Sequence, residues 1–348
     1  MGEKVGLIGD LHLGIKKNSN IFLKSQVKFL IKEFVSYLKN NNIKTVIMLG
    51  DIFDSRHSVN TKIQNVVFDF FDKYMKDFKV YVIKGNHDIY YNSSTDVSSL
   101  KFLTKFDNVT VVEDIIETEI AGKKVCMVPW VVNMSDFVNK FTKHSELCFG
   151  HFDITGFNMN RNRLSKDGIP ADFFGSRCKK LFSGHFHTRS HQIIKGCEIV
   201  YAGSPYQLTR HDIGEERGFV VLDMDDYSYE HINNKSSIKY ISLNFPEEFS
   251  KKTIKGNIID VYISYSDSYK EGKIENYLKK IEEYEPAVSP NTVLVNDSSM
   301  NSNLNADDYK VGSMIDLMKD YVNSLDIKNK DQIYNILLDL YSNTKGDL

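Results

Sequence analysis

Three times within its first ninety residues the chain drives a short apolar run into a glycine and then into charged or imidazole side chains. Val5-Gly6-Leu7-Ile8 leads into Gly9-Asp10-Leu11-His12, and Val46-Ile47-Met48-Leu49 into Gly50-Asp51-Ile52-Phe53-Asp54. Val80-Tyr81-Val82-Ile83 leads into Gly85-Asn86-His87-Asp88. Continuous β-branched runs of this length fit strands of a parallel sheet buried on both faces. A glycine at the strand end lets the backbone turn sharply, so the residues after it project from the carboxyl edge of the sheet. Apolar residues at helical spacing separate the runs: Val27, Leu30, Ile31, Phe34, Val35 and Leu38, then Ile63, Val66, Val67, Phe70, Phe71 and Tyr74. A βαβαβ order makes an α/β fold with right-handed crossovers the expected topology.

The side chains collected at these strand ends are Asp, His, Asp, Asn and His, a hard-to-borderline set of metal ligands. Two later segments, Phe149-Gly150-His151-Phe152 and Ser183-Gly184-His185-Phe186-His187, follow apolar strands through a glycine in the same way. Taken singly, each piece has a bland reading: an Asp-x-His on a surface, a Gly-Asn-His-Asp turn, a structural histidine. Their joint occurrence, in order and each after a buried-type strand, points to one metal site. Five such clusters on one edge can hold two cations roughly 3.5–4 Å apart, the arrangement used to hydrolyse phosphate esters.

The remainder of the chain has to be placed around that edge. Strands are expected at 123–130, 146–150, 181–184, 199–202 and 218–222, a helix near 134–143, and a surface loop between 154 and 176. The pattern changes near Asn244-Phe245-Pro246-Glu247, after which 257–295 reads as a small β-α-β unit. A linker-like stretch follows, then two amphipathic helices carrying Val311, Met314, Ile315, Met318, Tyr321, Val322 and Leu325, and Ile333, Ile336, Leu337, Leu340 and Tyr341. The expected division is 1–243, the domain that carries the strand-end clusters; 244–297, a small β-α-β unit; 298–306, a linker; and 307–348, a helical segment. A formal net charge of −2 neither requires nor excludes nucleic acid, because a local basic surface is compatible with a near-neutral total. Cys126, Cys148, Cys178 and Cys197 form no CxxC pair and read as buried free thiols of a reducing compartment. No signal peptide, membrane span or lipidation motif is found, so a soluble cytoplasmic protein is expected, in the host cytoplasm if phage-encoded.

The set DxH, GDxxD, GNHD, GH and GHxH resembles the calcineurin-like metallophosphoesterases over about residues 1–225. The order of parts is similar to that of SbcD-type double-strand-break repair nucleases, and within them to the catalytic subunits of T-even phage recombination endonucleases. The resemblance implies a metallophosphoesterase β-sandwich flanked by helices, with a small β-α-β cap domain and C-terminal helices. It implies that Asp10, His12, Asp51 and His187 bind one divalent ion and Asp51, Asn86, His151 and His185 a second, with Asp51 bridging. Manganese is the first expectation and magnesium the second. His87 would lie above the pair and protonate or stabilise the leaving oxygen. Asp54 would orient His87 and raise its pKa; some archaeal and eukaryotic nuclease relatives have a histidine at that place. Asp88 is expected to cap the following turn. Arg56, His57 and Arg189, with Arg210 and His211, are the expected contacts to DNA phosphates.

The activity so implied is a metal-dependent DNA nuclease, a 3′→5′ exonuclease on duplex ends and an endonuclease on single strands. The implied partners are DNA, an SMC-like ATPase of the Rad or SbcC type gripped by the C-terminal helices, and a second copy of the chain. No membrane association is expected. Two other functions compete: a small-molecule or protein phosphoesterase of the same superfamily, and a non-catalytic subunit that keeps only the scaffold.

Overall fold

A computed structural model describes residues 2–142, 145–160, 163–268 and 270–295, with scattered positions between Val322 and Leu337. In chain order the first strands are β1 (Lys4–Ile8), β2 (Thr45–Met48), β3 (Lys79–Ile83), β4 (Val109–Val112), β5 (Ile116–Ile120), β6 (Lys123–Val128), β7 (Ser145–His151), β8 (Asn158–Asn160) and β9 (Arg163–Leu164). They are followed by β10 (Cys178–Gly184), β11 (Ser190–Ile194), β12 (Cys197–Tyr201), β13 (Gly218–Asp223), β14 (Tyr229–Asn233), β15 (Tyr240–Asn244), β16 (Ile258–Ser264) and β17 (Asn291–Val295).

The three apolar runs become β1, β2 and β3, parallel neighbours at the heart of a six-stranded sheet ordered β14-β13-β1-β2-β3-β4. Residues alternate between its faces, as the two-residue period of a strand requires. Ile8, Val46, Met48, Val80 and Val82 face the helices over 20–40 and 61–75, packing on Phe29, Phe34, Leu38, Val67 and Phe71. Val5, Leu7, Ile47, Leu49, Tyr81 and Ile83 face a second six-stranded sheet, β11-β12-β10-β7-β6-β5, and meet its Met127, Leu147, Phe149, Phe182 and Val200. Fully burying side chains of this size contributes about 1.5–3 kcal/mol apiece, so the layer between the sheets is a large share of what holds them face to face. The far side of the second sheet is closed by Phe137, Phe141, Phe152, Phe157 and Phe174. All four cysteines lie in that layer as free, buried thiols, with Cys178 Sγ and Cys197 Sγ 3.5 Å apart.

A mixed α/β sandwich with helices outside is the fold class expected from the sequence. The structure adds strands that the reading did not find: β4, β5, β11 and β14. All four are edge strands, and three have mixed or polar side chains, Ile-Glu-Thr-Glu-Ile, Ser-His-Gln-Ile-Ile and Tyr-Glu-His-Ile-Asn, which carry little hydrophobic signal. The stretch expected as a surface loop, 154–176, instead holds the β8–β9 pair and buries Phe157 and Phe174 completely. Isolated apolar anchors show no period, which is why the sequence reads as a loop.

A three-stranded parallel sheet, β15-β16-β17, follows, and the helix Glu271–Glu283 joins its last two strands. It has its own core of Leu243, Phe245, Ile254, Ile259, Val261, Ile263 and Ile281. Arg210, from the sandwich, donates two hydrogen bonds to the buried Asp260 of β16 at 2.6 and 2.9 Å. The contact density of the chain divides it into Met1–Asn301 and Ser302–Leu348. The linker expected at 298–306 lies outside the described residues, as does most of the helical segment 307–348. Among the described residues there, Ile333 N–H reaches Asn329 O at 3.2 Å in the helical pattern. No described helix is long and apolar enough to cross a membrane.

Candidate metal centre

Beyond their last residues β1 and β2 stay joined through the loops: Asp10 N–H donates to Gly50 O at 2.9 Å and His12 N–H to Asp51 O at 3.0 Å. The loops turn so sharply that Asp10 (φ 53°), His12 (42°), Asp51 (53°) and His185 (94°) all adopt left-handed backbone. Such conformations cost on the order of 1–3 kcal/mol each in a residue with a side chain and collect at functional sites. Gly85 is required by close approach, since a Cβ there would lie 2.1 Å from Asp51 Oδ1. Gly50 (φ 99°) combines a left-handed turn with a place under the His151 ring.

The packed sheets gather the strand-end side chains into three groups, each with ligand atoms within 4.8 Å of one another: Asp10–His12–His187, His12–Asp51–His87 and Asp51–His151–His185. Asn86 joins the third, its Oδ1 lying 3.0 Å from His151 Nε2 and 3.0 Å from His185 Nδ1. All seven expected ligands therefore meet at one place. Each carboxylate is held by one oxygen and free at the other. His185 N–H donates to Asp10 Oδ1 at 2.9 Å and His87 N–H to Asp51 Oδ1 at 2.8 Å. Asp10 Oδ2 is buried without a hydrogen-bond partner. Asp51 Oδ2 stands between two imidazoles, 3.6 Å from His12 Nε2 and 3.4 Å from His151 Nε2.

The imidazoles are oriented in the same spirit. His151 Nδ1–H donates to Leu49 O at 2.6 Å, which turns Nε2 toward the cluster. His12 Nδ1 lies 3.4 Å from the Asp54 carboxylate, leaving Nε2 3.1 Å from His187 Nε2. Two imidazole nitrogens that close, beside an unpartnered carboxylate oxygen, are what a shared cation requires. The donor set fits a pair of divalent ions with Asp51 between them.

Protons carry part of that charge balance. Burial opposes charge on His151, yet the neighbouring Asp51 carboxylate raises its pKa to about 9. His12 is raised as well, against burial, by Asp54 and Asp51. Asp51 itself is held well below the usual carboxylate range; burial opposes this, and the charge and hydrogen bond of His151 override it. Burial lifts Asp10 to about 6, in part offset by His151. His185 falls to about 3 and His187 is lowered too, both through burial first and then through a neighbouring imidazole. Neutral His185 and His187 are in the form that binds metal.

His87 sits beside the cluster, its ring 4.8 Å from that of His12. Asp54 meets it in a different way from the one expected: His87 Nδ1 donates to the Asp54 main-chain carbonyl at 2.5 Å, while the Asp54 carboxylate faces His12. The expected rise in the His87 pKa is also absent. Burial lowers it, and Asp51 only partly compensates. Asp88 does more than cap a turn: fully buried, it accepts from Gly85 N–H at 2.9 Å, Asp51 N–H at 2.8 Å and Ile52 N–H at 3.0 Å, clamping two loops together.

Other supports went unread in the sequence because nothing local marks them. Gln26 Nε2 and the Tyr206 hydroxyl both donate to Leu11 O, at 3.1 and 2.5 Å, fixing the first loop from opposite directions. Trp130, the single tryptophan, packs 4.9 Å from the His185 ring. Among the expected DNA contacts, Arg56 binds Asn92 and His57 packs edge-on against Tyr90, on the loops beside His87. Arg189 reaches Asn233, and His211 is exposed. Arg210 is bound to Asp260 of the small sheet through Nε and Nη2, with its side chain about half exposed.

Known proteins similar to this chain include viral and phage relatives. The chain is 28% identical over 337 residues to Exonuclease subunit 1 of Enterobacteria phage T4, covering 94% of this chain and 95% of that one. It is 24% identical to Putative phosphoesterase 078R of Invertebrate iridescent virus 3, over 68% of each chain. A dimetal phosphatase from Danio rerio, with a TM-score of 0.41 and 12% identity, is matched over 64% of this chain and 93% of its own. The sequence profile of the calcineurin-like phosphoesterases matches residues 3–212, well over half of the chain and every residue of the cluster, and the chain belongs to that family.

Proposed function

We propose that this phosphoesterase is a dinuclear-metal-dependent DNA nuclease, with manganese as its preferred ion. The observation that carries the hydrolytic part is Asp51 Oδ2, placed between His12 Nε2 and His151 Nε2 at 3.6 and 3.4 Å while Oδ1 is pinned by the His87 N–H. Asp10, His12, Asp51 and His187 hold one cation; Asp51, Asn86, His151 and His185 hold the other. A pair of divalent ions bound there supplies Lewis acidity to water and opposing charge to the phosphoryl oxygens. Asp51 keeps its charge in spite of burial and balances both ions. His87 commits Nδ1–H to the Asp54 carbonyl, so a proton given to the leaving oxygen travels on Nε2. The charge of a bound phosphodiester favours the protonated ring.

Beside that histidine, Tyr90 and Tyr91 are exposed at 41% and 50%, next to Arg56 and His57. Exposed aromatic rings interleaved with basic groups suit a single strand, through base stacking and phosphate contacts. The full-length likeness to a phage exonuclease subunit supports the same substrate and a partner subunit. Arg56, His57 and Arg189 contact the backbone, and cleavage runs 3′→5′ from duplex ends and internally on single strands, in double-strand-break processing and recombination. Residues 1–243 do the chemistry, 244–297 cap the site, and 307–348 grip an SMC-like ATPase across the 298–306 linker. The protein works in the cytoplasm as a homodimer.

The test compares linear duplex, circular single-stranded DNA and p-nitrophenyl phosphate esters with added manganese or magnesium. Cleavage of DNA in preference to the esters is expected; hydrolysis of the esters with DNA left intact would make the protein a phosphoesterase of small molecules. Deleting residues 307–348 should abolish co-purification with the ATPase and spare manganese-dependent cleavage.

A further inference from the structure

Four of the buried polar atoms without a hydrogen-bond partner belong to three residues away from the metal centre: Arg189 Nε and Nη2, Ser190 Oγ and His231 Nδ1. All three residues line one cavity of about 320 Å³, with Tyr229, Asn233 and Glu216 among its other walls. The cavity opens between β11 and β14, the edge strands of the two sheets. Register places its polar end beside the chemistry. Ser190 pairs with Tyr201, at the carboxyl end of β12, which runs parallel to β10 and so ends where the His185–His187 loop begins. Asn233 pairs with Gly218, which lies beyond the carboxyl end of β1, since Leu7 already pairs with Val220. Both therefore sit at the sheet edge that carries the metal ligands.

The guanidinium is held ready for a ligand. Its Nη1 donates to Asn233 Oδ1 at 2.6 Å, which fixes the plane and leaves the Nε–Nη2 side, a two-donor fork, unused. The group lies against Gly218, where a Cβ would come within 2.9 Å of Nη2 and 1.9 Å of Ile232 O. Burial and the Arg189 charge push the His231 pKa down to about 4, so its ring is neutral near pH 7 and can present Nδ1–H. Glu216, the acidic neighbour, is exposed, and its charge acts on both Arg189 and His231.

A fork of parallel N–H donors with a hydroxyl and an imidazole beside it matches two or three oxygens of one oxyanion. We propose that this cavity is a phosphate site flanking the metal centre, with Arg189, Ser190 and His231 as its donors. On the reading of the chain as a DNA nuclease, which this step rests on for its source, the phosphate belongs to the bound strand. Free phosphate is the other source of the same chemistry.

The experiment uses the full chain stripped of metal by a chelator, so that the metal centre cannot take the anion. Inorganic phosphate and a single-stranded oligothymidylate are titrated at several salt concentrations against wild type, Arg189→Gln and Ser190→Ala, with circular dichroism as the check on folding. Wild type should bind both. Arg189→Gln should weaken each by about tenfold or more and lower the salt slope for the oligonucleotide by about one. Ser190→Ala should weaken both by a smaller factor, and it carries the test if Arg189→Gln does not fold. A loss confined to inorganic phosphate keeps the site and assigns it to the free anion. Wild type that binds no phosphate, or folded variants that bind both ligands as tightly as wild type, would overturn the proposal. Phosphate binding at the cavity in a protein that cuts no DNA would keep the site and remove the nuclease reading.

Discussion

The loops of the two sheets build the metal centre from different materials. The first sheet supplies Asn86 and, on left-handed turns, Asp10, His12 and Asp51, with each carboxylate pinned by a backbone N–H. The second sheet supplies only imidazoles, His151, His185 and His187, on loops supported by main-chain carbonyls and aromatic packing. Carboxylates are thus concentrated on one side and imidazoles alone on the other. Neither sheet holds an ion pair alone; the centre exists because the apolar layer between Leu49, Phe149 and Phe182 presses the two edges together.

The largest effect should come from removing the one carboxylate that faces both sets of imidazoles. Asp51→Asn is expected to lose both ions, counted by metal analysis, and to drop phosphodiesterase turnover by about 10³-fold or more. Retention of both ions would break the asymmetry between the sheets. On the proposed role of His87 at the leaving group, His87→Ala should lower turnover by about 10²–10⁴-fold while two ions per chain remain. Loss of the ions in His87→Ala would make it a ligand instead. Asp88→Asn replaces one acceptor oxygen of the clamp between the Gly85 and Asp51 loops with an amide donor, and metal affinity should fall about 10–100-fold, read by competition with a chelating dye.

The smallest effect is on stability. Asp10, raised to about 6, gives stability that is present below the ordinary carboxylate pKa and lost as pH rises through 6. His151, raised to about 9, gives stability that is fully present below the ordinary imidazole pKa and lost as pH rises through 9. Asp51, held low, stays ionised throughout. The melting temperature of the chelated protein should therefore fall between pH 6 and 9, and the gap to the metal-loaded protein should widen. A gap that stays constant across that range would sink the idea that protons on the second sheet stand in for the ions.

Much of this was legible before the structure. The pattern of apolar run, glycine and polar side chain picked out all seven side chains that the structure brings together, because buried parallel strands are continuous apolar runs and their ends need glycine. Edge strands such as β5 and β14 were not legible, since half-exposed polar strands carry no run to notice. Asp54 was misread for a related reason: its position three residues after Asp51 is visible, but whether its carbonyl or its carboxylate turns toward His87 depends on backbone conformation.

What the sequence determined by itself was chemical and local: which residue types stand at which strand ends, and that such a set suits a pair of divalent cations. Only the tertiary structure decided what faces what. Asp88 lies 37 positions from Asp51 and Gln26 lies 15 from Leu11, yet each closes a hydrogen bond that holds a ligand loop. Arg210 found Asp260 across 50 residues while staying half exposed, whereas Arg189 keeps Nε and Nη2 buried without a hydrogen-bond partner. Identity and spacing travel along the chain, but the partners of a long side chain are chosen by packing between elements distant in sequence, and no local pattern encodes that choice.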